Sequence, residues 1–167
     1  MTRRSARLPA FTDFVQEHRV RIYRFLAAAV GPIDADDCFQ ETFLAAMRAY
    51  PRLQHADALD RWILRIATRK ALDHHRGRAR RPVPSDTASE MADARPAAAK
   101  AGTIDLSDPL WEAVRTLPPR QRAAVVHRYV LDLPYEQVGE MMGCSAEAAR
   151  ANVHQGMRKL REEVGSG

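Results

Sequence analysis

Apolar residues recur at three- and four-residue intervals through Phe11, Phe14, Val15, Ile22, Phe25, Leu26 and Ala29, the spacing that gathers side chains on one helix face. Gly31-Pro32 ends that pattern. Asp34 then stands where it can cap a second helix, with Asp36 and Asp37 well placed against its N-terminal dipole. The second apolar face runs through Cys38, Phe39, Thr42, Phe43, Ala46, Met47 and Tyr50, and Pro51 stops it. A short polar loop, Arg52 to Asp57, leads to a third helix with Leu59, Trp62, Ile63, Ile66 and Ala67 inward. Arg61, Arg65, Thr68, Arg69 and Arg76 stand opposite them; Gly77, the run Arg78 to Arg81 and Pro82 mark the end.

Between Pro82 and Ser107 the pattern breaks down. Prolines, serines, threonines and alanines dominate, large apolar residues are almost absent, and the charges lean acidic through Asp86, Glu90, Asp93 and Asp105. Such a stretch cannot bury enough surface to offset the entropy of ordering, so it reads as a flexible linker. Order resumes at Asp108-Pro109, a cap followed by proline at the first helical position. Leu110, Trp111, Val114 and Leu117 predict a short helix, and Pro118-Pro119 separates it from one with Ala123, Val126, His127 and Val130 inward. Pro134 opens another short helix through Tyr135, Val138, Met141 and Met142. After the turn Gly143-Cys144-Ser145, a longer helix runs from Ala146 to Glu163 with Ala149, Val153, Gly156, Met157 and Leu160 on one side.

Strand signals are absent, so the expected fold is all-α: two small helical domains on a flexible linker. The divisions are a basic tail at 1–10, a first domain at 11–81, the acidic linker at 82–107 and a second domain at 108–164. A length of 167 residues suits two small domains, and 46% hydrophobic with 28% charged residues makes most of the chain globular. The net charge of +5 suggests a polyanionic partner, although its placement matters more than its total. Cys38 and Cys144 lie in separate helical patterns, which suits buried free thiols in a reducing cytoplasm better than a disulfide or zinc cluster. Arg3, Arg4 and Arg7 are not followed by an apolar core, so the start does not read as a signal peptide. No apolar run reaches the roughly 20 residues needed for membrane insertion.

The strongest chemical signal is the short helix, glycine turn and longer basic helix at the end, a helix-turn-helix pattern. Gly143 can take the left-handed backbone of the turn and Ser145 can cap the next helix. Arg150, Asn152, Gln155 and Arg158 project away from Val153 and Leu160, and these residue types read base edges or bind phosphate. The arginine row of the third helix suits a nucleic-acid strand, although a solvated face would carry the same residues and Trp62 fits the core. Asp34, Asp36, Asp37 and Glu41 with His74 and His75 could suggest a metal hydrolase. Capping explains the first two acids, adjacent histidines point in different directions, and no phosphate loop or nucleophile motif occurs. No enzyme activity, cofactor or metal is expected.

Taken in order, these segments resemble the extracytoplasmic-function (ECF) group of bacterial sigma factors. Asp34-Ala-Asp-Asp-Cys-Phe-Gln-Glu-Thr-Phe-Leu-Ala-Ala-Met-Arg48 is similar to that family's polymerase-docking helix, and Arg61 to Arg76 resembles its helix for the minus-ten element. Leu117-Pro-Pro-Arg-Gln-Arg122, followed by Tyr135-Glu-Gln-Val-Gly-Glu-Met-Met-Gly-Cys-Ser145, resembles its minus-thirty-five module. The resemblance implies that Asp37, Gln40, Glu41, Leu44 and Arg48 face core RNA polymerase. It implies that the loop from Arg52 to Asp60, with His55 and Asp57, cradles a flipped base while Arg61, Arg65, Arg69 and Lys70 hold the non-template strand. Upstream contacts then fall to Arg120, Ser145, Arg150, Asn152, Gln155 and Arg158. Promoter DNA and an anti-sigma factor complete the implied partners, and the linker corresponds to a tether through the polymerase channel.

Two departures bear on promoter reading. Thr68-Arg69 stands where the family usually has Arg-Asn, and Arg150-Ala-Asn-Val-His-Gln-Gly-Met157 replaces a more basic stretch. A sigma-like adaptor that binds a regulator without directing transcription, or an autonomous helix-turn-helix repressor, would share much of this pattern.

Overall fold

The computed structural model describes residues 7–54, 56–80, 105 and 107–166, and every regular element among them is helical. In chain order these are α1 (Phe11–Val30), α2 (Pro32–Ala49), a single 3-10 turn (Tyr50–Arg52), α3 (Leu59–Arg80), α4 (Pro109–Thr116), α5 (Pro119–Tyr129), α6 (Tyr135–Met142) and α7 (Ala146–Gly165). Of the expected linker 82–107, only Asp105 and Ser107 fall within the described residues, and residues 1–6 of the basic tail fall outside them.

Helix boundaries follow local chemistry. Gly31 sits at φ +88°, where a side chain would be strained, and serves both as the end of α1 and the cap of α2. Asp34 is therefore not the cap, as expected, but a first-turn residue whose carboxylate is drawn away to Arg78, 2.6 Å distant. Asp108 does cap α4, its Oδ1 accepting from the Leu110 N–H at 2.8 Å, with Pro109 at the first helical position. Helix α3 runs through Gly77 and ends at Arg80, within the expected Arg78 to Arg81 run: a lone glycine costs only about 1 kcal/mol in a helix of 22 residues.

Helices α1, α2 and α3 enclose Phe14, Ile22, Phe25, Leu26, Phe43, Ile63 and Leu64. Phe11, Phe14, Tyr50 and Trp62 meet there as an aromatic cluster, with ring centroids 5.1 to 6.2 Å apart, so Trp62 is chiefly a packing residue. Helices α4 to α7 enclose Val114, Leu117, Val126, Val138, Met141, Val153 and Leu160. Gly156 allows the close approach of α7 to α5, because a Cβ there would lie 2.8 Å from Val125 Cγ2.

The two helix groups pack against each other through α1 and α3 on one side and α4, α5 and α6 on the other. His127 of α5 is 0% exposed and stacks on Phe25 of α1, with centroids 4.5 Å apart and planes at 15°. Thr68, expected on the polar face of α3, is instead 0% exposed; it donates to Leu64 O at 2.8 Å and meets His127 Nε2 at 2.9 Å. With the hydroxyl hydrogen used at Leu64, the imidazole is the donor of that second bond, and its Nδ1 is left without a partner. Arg122, also buried, donates to Ala29 O at 3.0 Å and to Leu117 O at 3.2 Å, and bonds the Arg115 carbonyl as well. One guanidinium thus serves the carbonyl ends of both α1 and α4. Two residues expected inside, Met47 and Leu110, are each 49% exposed because they lie at the margins of their apolar stripes.

Candidate functional site

The outward side of α2 repeats by helical turns. Asp37, Gln40, Glu41, Leu44 and Arg48 are all exposed, and Ile33 and Met47 extend the same strip at 76% and 49% exposure. Large apolar residues beside carboxylates and left uncovered form a surface suited to a protein partner rather than to water alone. Glu41 reaches Lys70 of α3 at 3.9 Å, a loose pair between partly exposed groups. Beneath the strip, burial first and then the carboxylates of Glu41, Asp34 and Asp37 push the Cys38 thiol up to about 12, so it remains an unreactive packing residue. Cys144 is also a free thiol, but only half-buried.

The arginine row of α3 lies where α6 approaches it. Glu140 of α6 accepts from Arg65 Nη2 at 2.5 Å and approaches Arg61 Nη1 at 3.7 Å, so one carboxylate serves two of the expected strand-binding cations. Arg69 is exposed and lines a cleft of about 200 Å³ with Arg65, Arg76, Arg120, Glu140 and Met141. Of the loop before α3, Asp57 is exposed, His55 lies outside the described residues, and Ala58 takes a left-handed φ of +63° that costs a non-glycine residue about 1–2 kcal/mol. The Trp62 N–H bonds Ala58 O at 3.0 Å, so this strained residue starts α3. His74 and His75 diverge as expected. His74 Nε2 lies 3.3 Å from Asp34 but out of hydrogen-bond alignment, and His75 Nε2 meets Ala29 O at 2.9 Å. Burial holds His75 below the usual imidazole range.

Helices α6 and α7 form the helix-turn-helix. Gly143 adopts φ +65°, ψ +38°, and Ser145 Oγ accepts from the Ala148 N–H at 3.1 Å. Arg150, Gln155 and Arg158 are exposed, whereas Asn152 is half-buried and lines a groove with Leu72 and Arg76 of α3. Its Nδ2 donates to Ala148 O at 2.9 Å, and Gln155 Oε1 accepts from Gln121 Nε2 at 3.1 Å. Arg120 is exposed, with a long 3.5 Å bond to Met142 O. Arg150 lies over the Tyr135 ring at 4.9 Å, and Arg128 lies over the same ring at 5.4 Å. Arg128, Tyr135 and Glu140 were not among the site residues expected from the sequence. Arg128 and Tyr135 lie seven residues apart across a turn, and Glu140 looks like any solvated position of a short helix.

Residues 14–81 match the family described as Sigma-70 region 2, and residues 107–160 match Sigma-70, region 4. The chain is 36% identical to the RNA polymerase sigma factor CarQ of Myxococcus xanthus, across 93% of this chain and 90% of that protein. It is 30% identical to the ECF RNA polymerase sigma factor SigD of Mycobacterium tuberculosis, across 93% and 77%. Against the ECF RNA polymerase sigma factor SigE of Mycolicibacterium smegmatis, 32% identical, the alignment takes in 94% of this chain but only 62% of the longer relative. In fold the chain is similar to the sigma factor RpoE crystallised with the anti-sigma factor NepR from Bartonella quintana, with a TM-score of 0.69 and 20% identity over 93% of this chain and 96% of that one. It is also similar to CnrH in complex with the cytosolic domain of CnrY, with a TM-score of 0.66 and 20% identity over 93% and 88%. With both regions present in order, and relatives of at least 30% identity matched over more than two thirds of their length, the chain belongs to the ECF group of RNA polymerase sigma factors.

Proposed function

We propose that the chain carries core RNA polymerase to two-part promoters and helps to open them, without catalysing a covalent reaction. Residues 11–81 form the module that docks on polymerase and engages the minus-ten element. Residues 108–164 form the module for the minus-thirty-five element, and residues 82–107 are the tether. The observation that carries this reading is the uncovered strip on α2, where Ile33, Asp37, Glu41, Leu44 and Met47 offer apolar and acidic groups to a partner. Docking there involves Asp37, Gln40, Glu41, Leu44 and Arg48. On the downstream side, Arg61, Arg65, Arg69 and Lys70 pair with strand phosphates beside a base accommodated by the loop of His55 and Asp57. Holding unpaired bases more tightly than paired ones lowers the free energy of strand opening. Arg120, Ser145, Arg150, Asn152, Gln155 and Arg158 face the upstream duplex, with Arg150 over the Tyr135 ring that Arg128 also approaches.

The protein works in the cytoplasm with polymerase, and no helix among the described residues is long and apolar enough to cross a membrane. An anti-sigma protein is its regulatory partner; two proteins of similar fold are solved in complexes of sigma factor and partner chain. Run-off transcription with purified bacterial core polymerase and a genomic promoter pool tests the reading, and defined start sites are the expected result. Binding to core without initiation at any promoter would replace it with the adaptor reading. That second reading draws on Asn152 and Gln155, each of whose amides has one end engaged within the protein.

A further inference from the structure

The groove between α3 and the second helix group gathers more positive charge than the protein neutralises. Its first part, the cleft of about 200 Å³, is lined by Arg65, Arg69 and Arg76 of α3 and Arg120 of α5, with only Asp73 and Glu140 as carboxylates. Both carboxylates are already engaged, Glu140 by Arg65 and Arg61, and Asp73 by Arg76 at 3.7 Å. Among the described residues neither Arg69 nor Arg120 forms an ion pair. Folding therefore brings two uncompensated guanidiniums, one from each helix group, to the same cleft. Like charges held together in this way repel, and an anion between them relieves the repulsion. Leu72, Arg76 and Arg120 also line a second hollow of about 350 Å³, so the two spaces are continuous. Its remaining walls include Pro118, Pro119, His75 and Asn152, which offer flat or apolar surfaces and one amide. That volume lies in the range of roughly 300–1,000 Å³ that holds small organic ligands, whereas the arginine cleft is smaller and suits an inorganic group.

We propose that this groove is a binding site for a small molecule bearing a diphosphate group. Arg69, Arg76 and Arg120 hold the phosphoryl oxygens, and an attached nucleoside lies against Leu72, Pro118 and Pro119. Arginine suits the task because its planar fork of N–H donors pairs two phosphate oxygens at once. A diphosphate supplies two phosphoryl groups, one for the guanidiniums of each wall, where a monophosphate supplies one. The site itself does not depend on the promoter reading, since it follows from the lining of the groove. Its consequence for transcription does rest on that reading: Arg69 and Arg120 are among the proposed promoter contacts, so a diphosphate seated here competes with DNA phosphates for them.

The test uses the full chain without DNA or polymerase, with inorganic pyrophosphate and ADP as probes and no divalent metal. Titration calorimetry and thermal unfolding are run at an ionic strength held constant with chloride. Both probes are expected to bind saturably and to raise the melting temperature, as any ligand of the folded state does. AMP and sulfate at the same concentration should raise it less. Arg69→Gln and Arg120→Gln are each expected to weaken pyrophosphate binding by about tenfold or more, as loss of charge-assisted hydrogen bonds allows. Arg161→Gln removes the same charge from an exposed position of α7 outside the groove, and should change affinity less than about twofold. Circular dichroism checks that each variant is folded. Tighter binding of ADP than of pyrophosphate places the nucleoside in the larger hollow, and equal affinities confine the ligand to the diphosphate alone. Equal stabilisation by sulfate, or equal affinities in all three variants, means unspecific ion screening and overturns the site. Neither result bears on run-off transcription, so the promoter reading stands or falls separately.

Discussion

Acid should loosen this molecule through His127 before its carboxylates begin to titrate. Complete burial, reinforced by the charge of Arg21, pushes His127 down to about 3 from an ordinary value of 6.5. Between those values the unfolded chain binds one more proton than the folded one, so stability is full above pH 6.5 and is lost as pH falls toward 3. At pH 5 the cost is about 1.4 kcal/mol for each of 1.5 units, or about 2 kcal/mol. That figure does not depend on where below pH 4 the folded value lies. His18 and His75 are also lowered by burial and add with the same sign, so the contribution of His127 must be isolated by substitution. His127→Gln keeps an N–H donor for Thr68 but loses the ring stacked on Phe25, and will be less stable than the parent at pH 7.5. Because glutamine does not titrate, that deficit should shrink by about 2 kcal/mol when urea denaturation is repeated at pH 5 and constant ionic strength. Parallel stability curves for parent and variant across this range would refute the reasoning, since His127 would then titrate alike in both states.

The cap at Ser145 separates structure from recognition. Ser145→Ala should cost about 1 kcal/mol in thermal unfolding and Ser145→Gly only a few tenths, so equal losses of promoter affinity in both variants would indicate a direct DNA contact. Glu41→Lys reverses an exposed charge on the α2 strip and should weaken co-purification with core polymerase while leaving the circular dichroism spectrum unchanged; retained binding would place the docking face elsewhere. Gly139→Val should lower stability by about 2–3 kcal/mol, because even a Cβ there would sit 2.7 Å from the backbone oxygen of Cys144, and an unchanged melting temperature would mean that the turn yields.

The segments that announced themselves in the sequence are those where one residue meets its own neighbours. Asp108-Pro109 caps its helix, Gly143-Cys144-Ser145 turns and caps the next one, and Gly31-Pro32 parts α1 from α2. Each is a contact within a few positions, which spacing and residue type can express. Asp34 has the credentials of a cap, but its carboxylate is claimed by Arg78, 44 positions away. Met47 and Leu110 fit their stripes yet sit at the edges, where only the shape of the neighbouring helix decides exposure. The candidate site was legible in the same measure. The arginine row follows from helical periodicity and the α2 docking residues from the family resemblance, but the carboxylate bridging Arg61 and Arg65 comes from α6, and no local pattern links Glu140 to them.

Thr68 shows why the departures from family pattern belong together. Read along the helix it stands on a polar face where the family usually has an arginine; in three dimensions it is an interior residue whose hydroxyl supports His127. A buried polar pair adds little net stability but penalises any arrangement that leaves one partner unmet. It therefore selects this packing of the two helix groups more than it strengthens the fold. The same logic applies to α7, where Asn152 and Gln155 are held by Ala148 and Gln121. A bidentate base contact that uses both ends of either amide means first giving up that internal bond, which lowers its yield in binding. On the proposed reading, upstream recognition then falls mainly to Arg150 and Arg158, with the Tyr135 ring supporting the first of them. On the same reading both DNA-facing surfaces are partly satisfied within the protein, whereas the α2 strip is engaged only by the loose Glu41–Lys70 pair.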